Sequence, residues 1–300
     1  MNTERKQLIE AGIRIGGLEM SAEDKVWSRH SNDKVDIGEA LARVLRTLSK
    51  TLPLSTPLRT LSIGSSAEPQ FRIVQSASGG GLYLLDLEQT ALDIVRERIH
   101  RQCTDNVTVI RGDYNEVFQS AKNTHAFLRN RLHGKPVHLI TLHHSLYYAE
   151  ASKWRRIYEN LARSSLAPTG AIHAVLMASE SEDRHTTTSL YNHFAGKFCG
   201  CRNDQDLRKF RDELAENRLF RGAQLHVASR PVRFTTDEFT KLMAIIWMIL
   251  LYPHVHRYTL KQREEITEFI YDHFWQQRRP LVQMQDHLVV YRGIRQRGLF

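Results

Sequence analysis

The sequence predicts an α/β fold in which helices cover both faces of a mostly parallel sheet. From residue 58 to about residue 178, short apolar runs alternate with amphipathic helical patterns. The runs, interpreted as buried strands, are 58–63, 82–86, 107–110, 137–142 and 171–177. Strands that alternate with helices form right-handed βαβ units, which build a parallel sheet. The composition, 41% hydrophobic and 25% charged residues, is ordinary for a folded globular protein.

The helical patterns come in order along the chain. Residues 1 to about 52 are predicted to be helical, with apolar side chains at helical spacing over 37–48 and two prolines in 52–57 that end the pattern. The stretches 89–99 and 152–161 repeat this spacing between predicted strands, and Ser152 is expected to cap the second of them.

The rhythm changes after residue 178. Two helical stretches are followed by a strand or an extended pair over 223–234, and Thr235 with Glu238 predicts a capping box ahead of a helix over 236–251. This helix contains the longest apolar run, Leu242 to Leu251, which at ten residues is too short for a bilayer and is expected to be a buried helix. A helix at about 260–275 and a strand over 286–292 complete the pattern.

The first candidate site residues follow the first strand, in the stretch "LSIGSSAEPQF". A strand that ends in small residues such as Gly64, Ser65 and Ser66 lets backbone N–H groups approach a ligand closely. The stretch matches neither the dinucleotide fingerprint G-x-G-x-x-G nor a phosphate-binding P-loop. A plain tight turn between strand and helix is the alternative interpretation.

Two carboxylates end the next predicted strands. Asp86 lies 22 positions after Gly64, a separation at which an acidic residue can bind both ribose hydroxyls of an adenosine. Asp113 ends the third strand and can accept from the adenine amine, with Tyr114 covering the ring. For both aspartates the alternative is a cap at the start of the following helix.

This order of motifs, followed by "LITLHHSLYYAE" and by the turn "LAPTGAIHAV", resembles the class I S-adenosylmethionine-dependent methyltransferases over about 58–178 and again over 286–292. The resemblance implies a Rossmann-like sheet of seven strands with an antiparallel last strand, and S-adenosylmethionine as the cofactor. It also implies that Glu68 reaches towards the methionine amino group and that Leu142 and His143 lie beneath the sulfonium. The cofactor would be lined by Gly64, Ser65, Asp86, Leu87, Asp113 and Tyr114.

The segment after the fourth strand carries the candidate catalytic groups. His144 is a candidate base and Tyr147 a second catalytic candidate, just beyond a strand end where α/β sheets bind ligands. Packing of the following helix is the alternative. Aromatic residues suited to a small organic acceptor are Trp27, Tyr148, Tyr191 and Trp247, although core packing is the alternative for Trp247.

The resemblance divides the chain into an N-terminal helical cap (1–57), a cofactor-binding core (58–180) and a helical lid with the last strands (181–300). We expect methyl transfer to a nitrogen or oxygen of a small molecule. The net charge of +9 leaves open an RNA or protein acceptor, and a regulatory protein that binds the cofactor without turnover is the third possibility. The sequence indicates no oligomeric state.

The remaining composition points to a cytoplasmic protein. Three cysteines, an odd and small number, argue against a disulfide framework, and the first 17 residues lack the apolar core of a secretion signal. Neither "HVH" at 254–256 nor "CGC" at 199–201 has the partner ligands of a metal site, so no metal and no membrane association are expected.

Overall fold

The computed structural model describes residues 3–17, 27, 29–64 and 71–294, with the backbone alone at residue 71. Its strands are β1 (Thr60–Ile63), β2 (Leu82–Asp86), β3 (Val107–Arg111), β4 (Val137–His143), β5 (Leu166–Met177), β6 (Gln224–Phe234) and β7 (Leu281–Arg292). The α-helices are α1 (Thr3–Ile15), α2 (Asp33–Thr51), α3 (Phe71–Ala77), α4 (Gln89–Arg101), α5 (Tyr114–Phe118), α6 (Ala121–Arg131), α7 (Ala151–Asn160), α8 (Thr187–Cys199), α9 (Leu207–Glu216), α10 (Phe239–Leu250) and α11 (Leu260–Ile270).

The strands form one seven-stranded sheet in the order β3-β2-β1-β4-β5-β7-β6. The β3-β2, β2-β1, β1-β4 and β4-β5 pairs are parallel. β7 is antiparallel to β5, because its start bonds to the end of β5 (Ala178 N–H to Met284 O, 2.8 Å) and its end packs on Pro168. It is antiparallel to β6 as well, because Ser229 bonds to Asp286 and the ring of residue 226 lies 6.1 Å from that of residue 291.

The fold is therefore a Rossmann-like α/β sheet in which only the last strand is reversed, as the sequence and its resemblance predicted. All five strands predicted before residue 178 are present, and β6 and β7 confirm the two predicted after it. β5 begins at Leu166, five residues before the predicted start, because the chain is already extended through the "LAPTG" segment.

The residues group into two compact units. The sheet unit comprises Lys34–Leu176, Asp206–Ser229 and Asp286–Phe300, and the helical unit comprises Met1–Asp33, Met177–Gln205 and Arg230–Gln285. Each of the three parts into which the sequence was divided contributes residues to both units.

In the sheet unit, successive strand residues pack into two different clusters, one on each face. Leu82 and Leu84 join the cluster that contains the apolar stripe of α2, whereas Tyr83 and Leu85 join the cluster that contains residues of α5, α6, α7 and α9. Burial on both faces is what a parallel sheet requires, and it explains why these strands are continuous apolar runs rather than alternating ones.

In the helical unit, α1 packs closely on α10 and α11. A Cβ placed on Gly12 would lie 2.7 Å from Thr267 Cγ2 and 3.0 Å from Met243 Cγ, so only glycine allows this approach. Trp247 is fully buried, and its indole N–H donates to Gly12 O at 3.0 Å. The predicted buried helix over 242–251 is confirmed by α10. Among the described residues, no helix has both the length and the apolar character that crossing a membrane requires.

Two predicted helix caps are wrong. α10 begins at Phe239 without a side-chain cap, because Thr235 is engaged elsewhere: its N–H donates to His30 O at 2.9 Å. α7 begins at Ala151, so Ser152 lies inside the helix rather than at its cap. A capping box is present at the start of α11, between Thr259 and Gln262.

Candidate functional site

β1 is followed by Gly64, at a position that only glycine accommodates well. Gly64 has φ +69°, and its N–H donates to Leu85 O at 2.8 Å. A Cβ at this position would lie 2.6 Å from Ser145 Cβ, the second residue after β4. Gly64 therefore brings the chain into direct contact with the neighbouring strand end. Ser65 and Glu68, the next two predicted site residues, lie outside the described residues.

Asp86 lies at the end of the adjacent strand. Ile63 pairs with Leu85, so Gly64 and Asp86 follow two paired residues at one edge of the sheet. The Asp86 side chain is half-buried, and its Oδ1 accepts from the Glu88 N–H at 3.0 Å. Glu88, rather than Asp86, is the N-cap of α4. The alternative interpretation of Asp86 as a helix cap is thus wrong, and the short turn holds its carboxylate at the sheet edge.

Asp113 and Tyr114 follow β3 at the same edge. Asp113 is the N-cap of α5 and accepts from the Asn115 N–H at 2.8 Å, which confirms the capping role that the sequence left open. Tyr114 is buried, and its hydroxyl donates to Ser145 O at 2.8 Å. Burial raises the pKa of the Tyr114 phenol, and the Asp113 carboxylate raises it further, so the phenol stays protonated. Tyr114 therefore links the end of β3 to the segment after β4.

That segment also places a buried polar atom beside Gly64. The side chain of Ser145 is fully buried, and its Oγ has no hydrogen-bond partner among the described residues. A hydroxyl group that is buried without a partner costs about 1–3 kcal/mol. Ser145 was not predicted from the sequence, because a lone serine after a strand carries no pattern.

The predicted catalytic candidates surround Ser145. His144 has φ +53°, a left-handed conformation that is uncommon outside glycine and that turns the chain sharply at the end of β4. Its ring stacks on that of Tyr147, with centroids 6.0 Å apart and planes 9° from parallel. Tyr148 is 55% exposed, and its carbonyl accepts from Asn115 Nδ2 at 3.1 Å. Strained backbone of this kind clusters at functional sites.

The two predicted leucines have different environments. Leu142 is fully buried in the hydrophobic cluster that also contains Leu61 and Ile63. Leu87 is 61% exposed after the end of β2. The exposed Leu87 therefore provides apolar surface next to Asp86, whereas Leu142 is part of the hydrophobic core of the sheet unit.

Three predicted acceptor-binding aromatic residues belong to the helical unit, and each is buried there. The Trp27 indole N–H donates to Asp33 Oδ2 at 3.2 Å. The Tyr191 hydroxyl accepts from the His254 N–H at 3.1 Å. Trp247 packs in the core of α10, as its alternative interpretation predicted.

The metal candidates have other partners. His254 Nε2 lies 2.7 Å from Asp204 Oδ1, and all three cysteines are free thiols. No group of three or more metal-ligating side chains occurs within the described ranges.

A cavity of about 470 Å³ lies at the opposite edge of the sheet, where β5 begins and β7 ends. Its walls include Pro168, Phe220, Arg221, Val290 and Arg292. Because ligands of open α/β sheets bind at the carboxyl ends of the parallel strands, this cavity lies at the wrong edge for the candidate site.

A row of buried histidines was also missed by the sequence reasoning, which named His143 alone among them as a site residue. His143 on β4, His173 on β5 and His287 on β7 are at most 3% exposed and are hydrogen-bonded in sequence, ending at Asp36 on α2. The available signal was a histidine inside each of the apolar strand runs "AIHAVLM" and "DHLVV".

Comparisons with known proteins find similarity at the level of structure. The structure is similar to YcgJ from Bacillus subtilis, with a TM-score of 0.48 and 13% identity over 85% of this chain and 99% of that one. It is similar to a Bacillus halodurans C-125 protein described as a methyltransferase, with a TM-score of 0.47 and 12% identity over 82% of this chain and 96% of that one.

A third similar structure is phosphoethanolamine N-methyltransferase 2 of Haemonchus contortus in complex with S-adenosylhomocysteine, with a TM-score of 0.46 and 13% identity over 84% of this chain and 53% of that one. No family model and no curated protein matches the sequence. Since every one of these TM-scores is below 0.5, the fold assignment rests on the strand order, and activity must be argued from the site.

Proposed function

We propose that this chain is a methyltransferase that uses S-adenosylmethionine and methylates a nitrogen or oxygen of a small organic acceptor. The observation that carries the proposal is that Gly64, in a left-handed conformation, and Asp86 directly follow the paired residues Ile63 and Leu85 at the ends of two neighbouring strands. A glycine at the end of a strand gives a ligand access to backbone N–H groups. A carboxylate at the end of the neighbouring strand can bind the two ribose hydroxyls of an adenosine.

The chemistry of the edge fits this cofactor. The buried Ser145 hydroxyl lacks a partner among the described residues and lies beside Gly64, so a polar ligand group there would satisfy it. Asp113 is half-buried, and although one of its oxygens caps α5, a carboxylate accepts more than one hydrogen bond. We assign Gly64, Asp86, Leu87, Asp113 and Tyr114 to the adenosine side of the site.

The cofactor, when bound, supplies a methyl group already activated by its positively charged sulfur. The remaining work of the protein is to hold the acceptor in line and to exclude water. We assign this to the rings of His144, Tyr147 and Tyr148, and assign His143 to the floor of the site. Aromatic and imidazole rings suit a small acceptor, which is why we favour one over RNA or protein.

Calorimetric titration with S-adenosylmethionine tests the proposal. Asp86→Asn keeps the shape of the side chain but removes its charge, and a hydrogen bond to a charged group contributes about 1.5–3 kcal/mol, so we expect affinity to fall at least about tenfold. Asp93→Asn, an exposed carboxylate on α4, is the matched control and should bind as the wild type does. Equal affinity in the two variants would remove the ribose assignment.

The acceptor class is tested separately. Transfer of a radiolabelled methyl group to a panel of small amines, alcohols and phenols should occur, with little dependence on salt. If transfer occurs only to RNA and weakens steeply with added salt, the acceptor is a nucleic acid instead. Binding of the cofactor without transfer to any acceptor would favour a regulatory role, and binding of NAD alone would contradict the proposal.

A further inference from the structure

The buried histidine row begins at the candidate site and crosses the sheet. His143 is the last residue of β4. Its Nε2 lies 3.1 Å from His173 Nδ1, and His173 Nε2 lies 3.2 Å from His287 Nδ1. The row ends where His287 Nε2 lies 2.7 Å from Asp36 Oδ2 on α2. All four side chains belong to the sheet unit.

The register explains how three strands supply one row. Thr141 pairs with His173 and His143 pairs with Val175, so His143 and His173 are diagonal neighbours on the same face of the sheet. This is the face covered by α2, where Leu139, Ala171 and Val289 of the same three strands are buried. Asp286, next to His287 in the chain, is bound on the other side of the strand by Ser229 and Arg208 and is not part of the row.

An imidazole row of this kind has a direction. A carboxylate only accepts hydrogen bonds, so neutral His287 donates from Nε2 and accepts at Nδ1. His173 then donates from Nε2 and accepts at Nδ1, and His143 donates from Nε2. The proton-accepting nitrogen of His143 is therefore Nδ1, the nitrogen at the far end of the row from Asp36.

We propose that His143, His173, His287 and Asp36 form a proton relay that takes up the proton released by the methyl acceptor. The inference rests on the proposed function, since methylation of an N–H or O–H group releases one proton. The acceptor N–H or O–H bond breaks, its electron pair stays on the acceptor atom, and the proton binds His143 Nδ1.

The relay then moves charge without moving any ring. The Nε2 proton of His143 passes to His173 Nδ1, and the Nε2 proton of His173 passes to His287 Nδ1. His287 keeps its own Nε2 proton and becomes an imidazolium beside the Asp36 carboxylate, while His143 and His173 are again neutral. One proton enters and one positive charge appears, beside the Asp36 carboxylate.

The environment of the central ring supports this assignment. Burial lowers the pKa of His173 well below its ordinary value, and its neighbours His143 and His287 lower it further. His173 is thus held neutral, which suits a group that receives one proton while giving up another. In this scheme His173, His287 and Asp36 are positioning residues that act through His143.

The test follows the ring protons directly, without acceptor or cofactor. The full chain, labelled with ¹⁵N at its 15 histidines, is titrated while long-range ¹H–¹⁵N spectra report each tautomer, and single His→Gln variants assign the signals. At high pH His143 should carry its proton on Nε2. As the pH falls, His287 should gain a second proton, and His143 should switch its proton to Nδ1 at the same midpoint.

Two variants sharpen the result. Asp36→Asn replaces the carboxylate, which only accepts, by an amide that can also donate, so the direction of the row is no longer fixed. The single Nε2-protonated form of His143 at high pH should then give way to a mixture of tautomers. Glu39→Gln, an exposed carboxylate three residues further along α2, is the control and should leave the Nε2-protonated form in place. His173→Gln should uncouple His143 from His287.

Separate midpoints for His143 and His287, or a His143 that becomes an imidazolium itself, would overturn the relay, and both results are read from the wild-type protein once its signals are assigned. The relay and the proposed function fail independently. A protein that binds S-adenosylmethionine but shows no coupled switch refutes the relay alone, whereas a coupled switch without cofactor binding refutes the proposed function and with it the source of the proton.

Discussion

Replacing Gly64 by alanine should destabilise the protein in two separable ways. An alanine at φ +69° pays the left-handed backbone cost of about 1–2 kcal/mol. Its Cβ would also lie 2.6 Å from Ser145 Cβ, far inside the optimal carbon–carbon separation of about 3.5–4.0 Å. Overpacking of this kind typically costs about 1–3 kcal/mol more.

The chain contains a matched control. Gly134, between α6 and β4, also has φ +69°, but a Cβ there would meet nothing within 4 Å. Gly134→Ala therefore shares the backbone cost and the change in the unfolded state, and lacks the steric cost. In urea unfolding we expect Gly64→Ala to be less stable than Gly134→Ala by about 1–3 kcal/mol.

A second substitution locates the clash. Adding Ser145→Gly to Gly64→Ala removes the opposing Cβ and should recover most of the difference, whereas adding Ser145→Ala keeps that Cβ and should recover none. If the two glycine variants are equally stable, or if Ser145→Ala rescues as well as Ser145→Gly, the close approach of the two strand ends is refuted.

Three further predictions concern stability. Gly12→Ala should destabilise the protein by about 1–3 kcal/mol through overpacking against Met243. Gly196→Ala, at a helix position with room for a Cβ, should instead stabilise it by up to about 1 kcal/mol. Thermal or urea unfolding compares the two variants, and stability changes of the same sign would contradict the packing of α1. Burial raises the pKa of Asp286, so its neutral form is favoured in the folded state. The wild type should therefore lose stability relative to Asp286→Asn as the pH rises from about 4. Urea unfolding between pH 4 and 7 measures this difference, and a wild type that becomes more stable relative to the variant would contradict it. Burial lowers the pKa of His173, so its contribution to the free energy of unfolding is complete above about pH 6.5. That contribution is lost as the pH falls, by up to about 1.4 kcal/mol per pH unit. The free energy of unfolding of His173→Gln should fall less steeply below about pH 6.5, and an unchanged slope would contradict a neutral buried ring.

The sheet was predictable because parallel strands that are buried on both faces have continuous runs of apolar residues in the sequence. The positions of Gly64 and Asp86 at neighbouring strand ends followed from this, since strands that alternate with helices all end at one edge. The reversed direction of the last strand came from the resemblance, because a single apolar run such as "DHLVV" does not reveal the direction of its strand.

The hydrogen bonds along the histidine row and the buried position of Ser145 could not be predicted, because they depend on contacts between distant segments. Asp36 meets His287 across 251 positions of sequence, and no spacing rule reaches that far. The wrong cap at Thr235 has the same origin: locally the residue fits a capping box, but its backbone pairs with His30. A local sequence pattern fails to predict the structure wherever a tertiary contact satisfies the same polar groups.

The place of β7 in the sheet has a consequence for synthesis on the ribosome. β6 leaves the ribosome before β7, yet among the described strands of the sheet β7 is its one neighbour. The nascent chain must therefore keep β6 and the open side of β5 apart from other strands until residues 281–292 emerge. A ribosome stalled before that point should hold a five-stranded intermediate with an exposed edge, which is the state in which we expect chaperones to bind this chain.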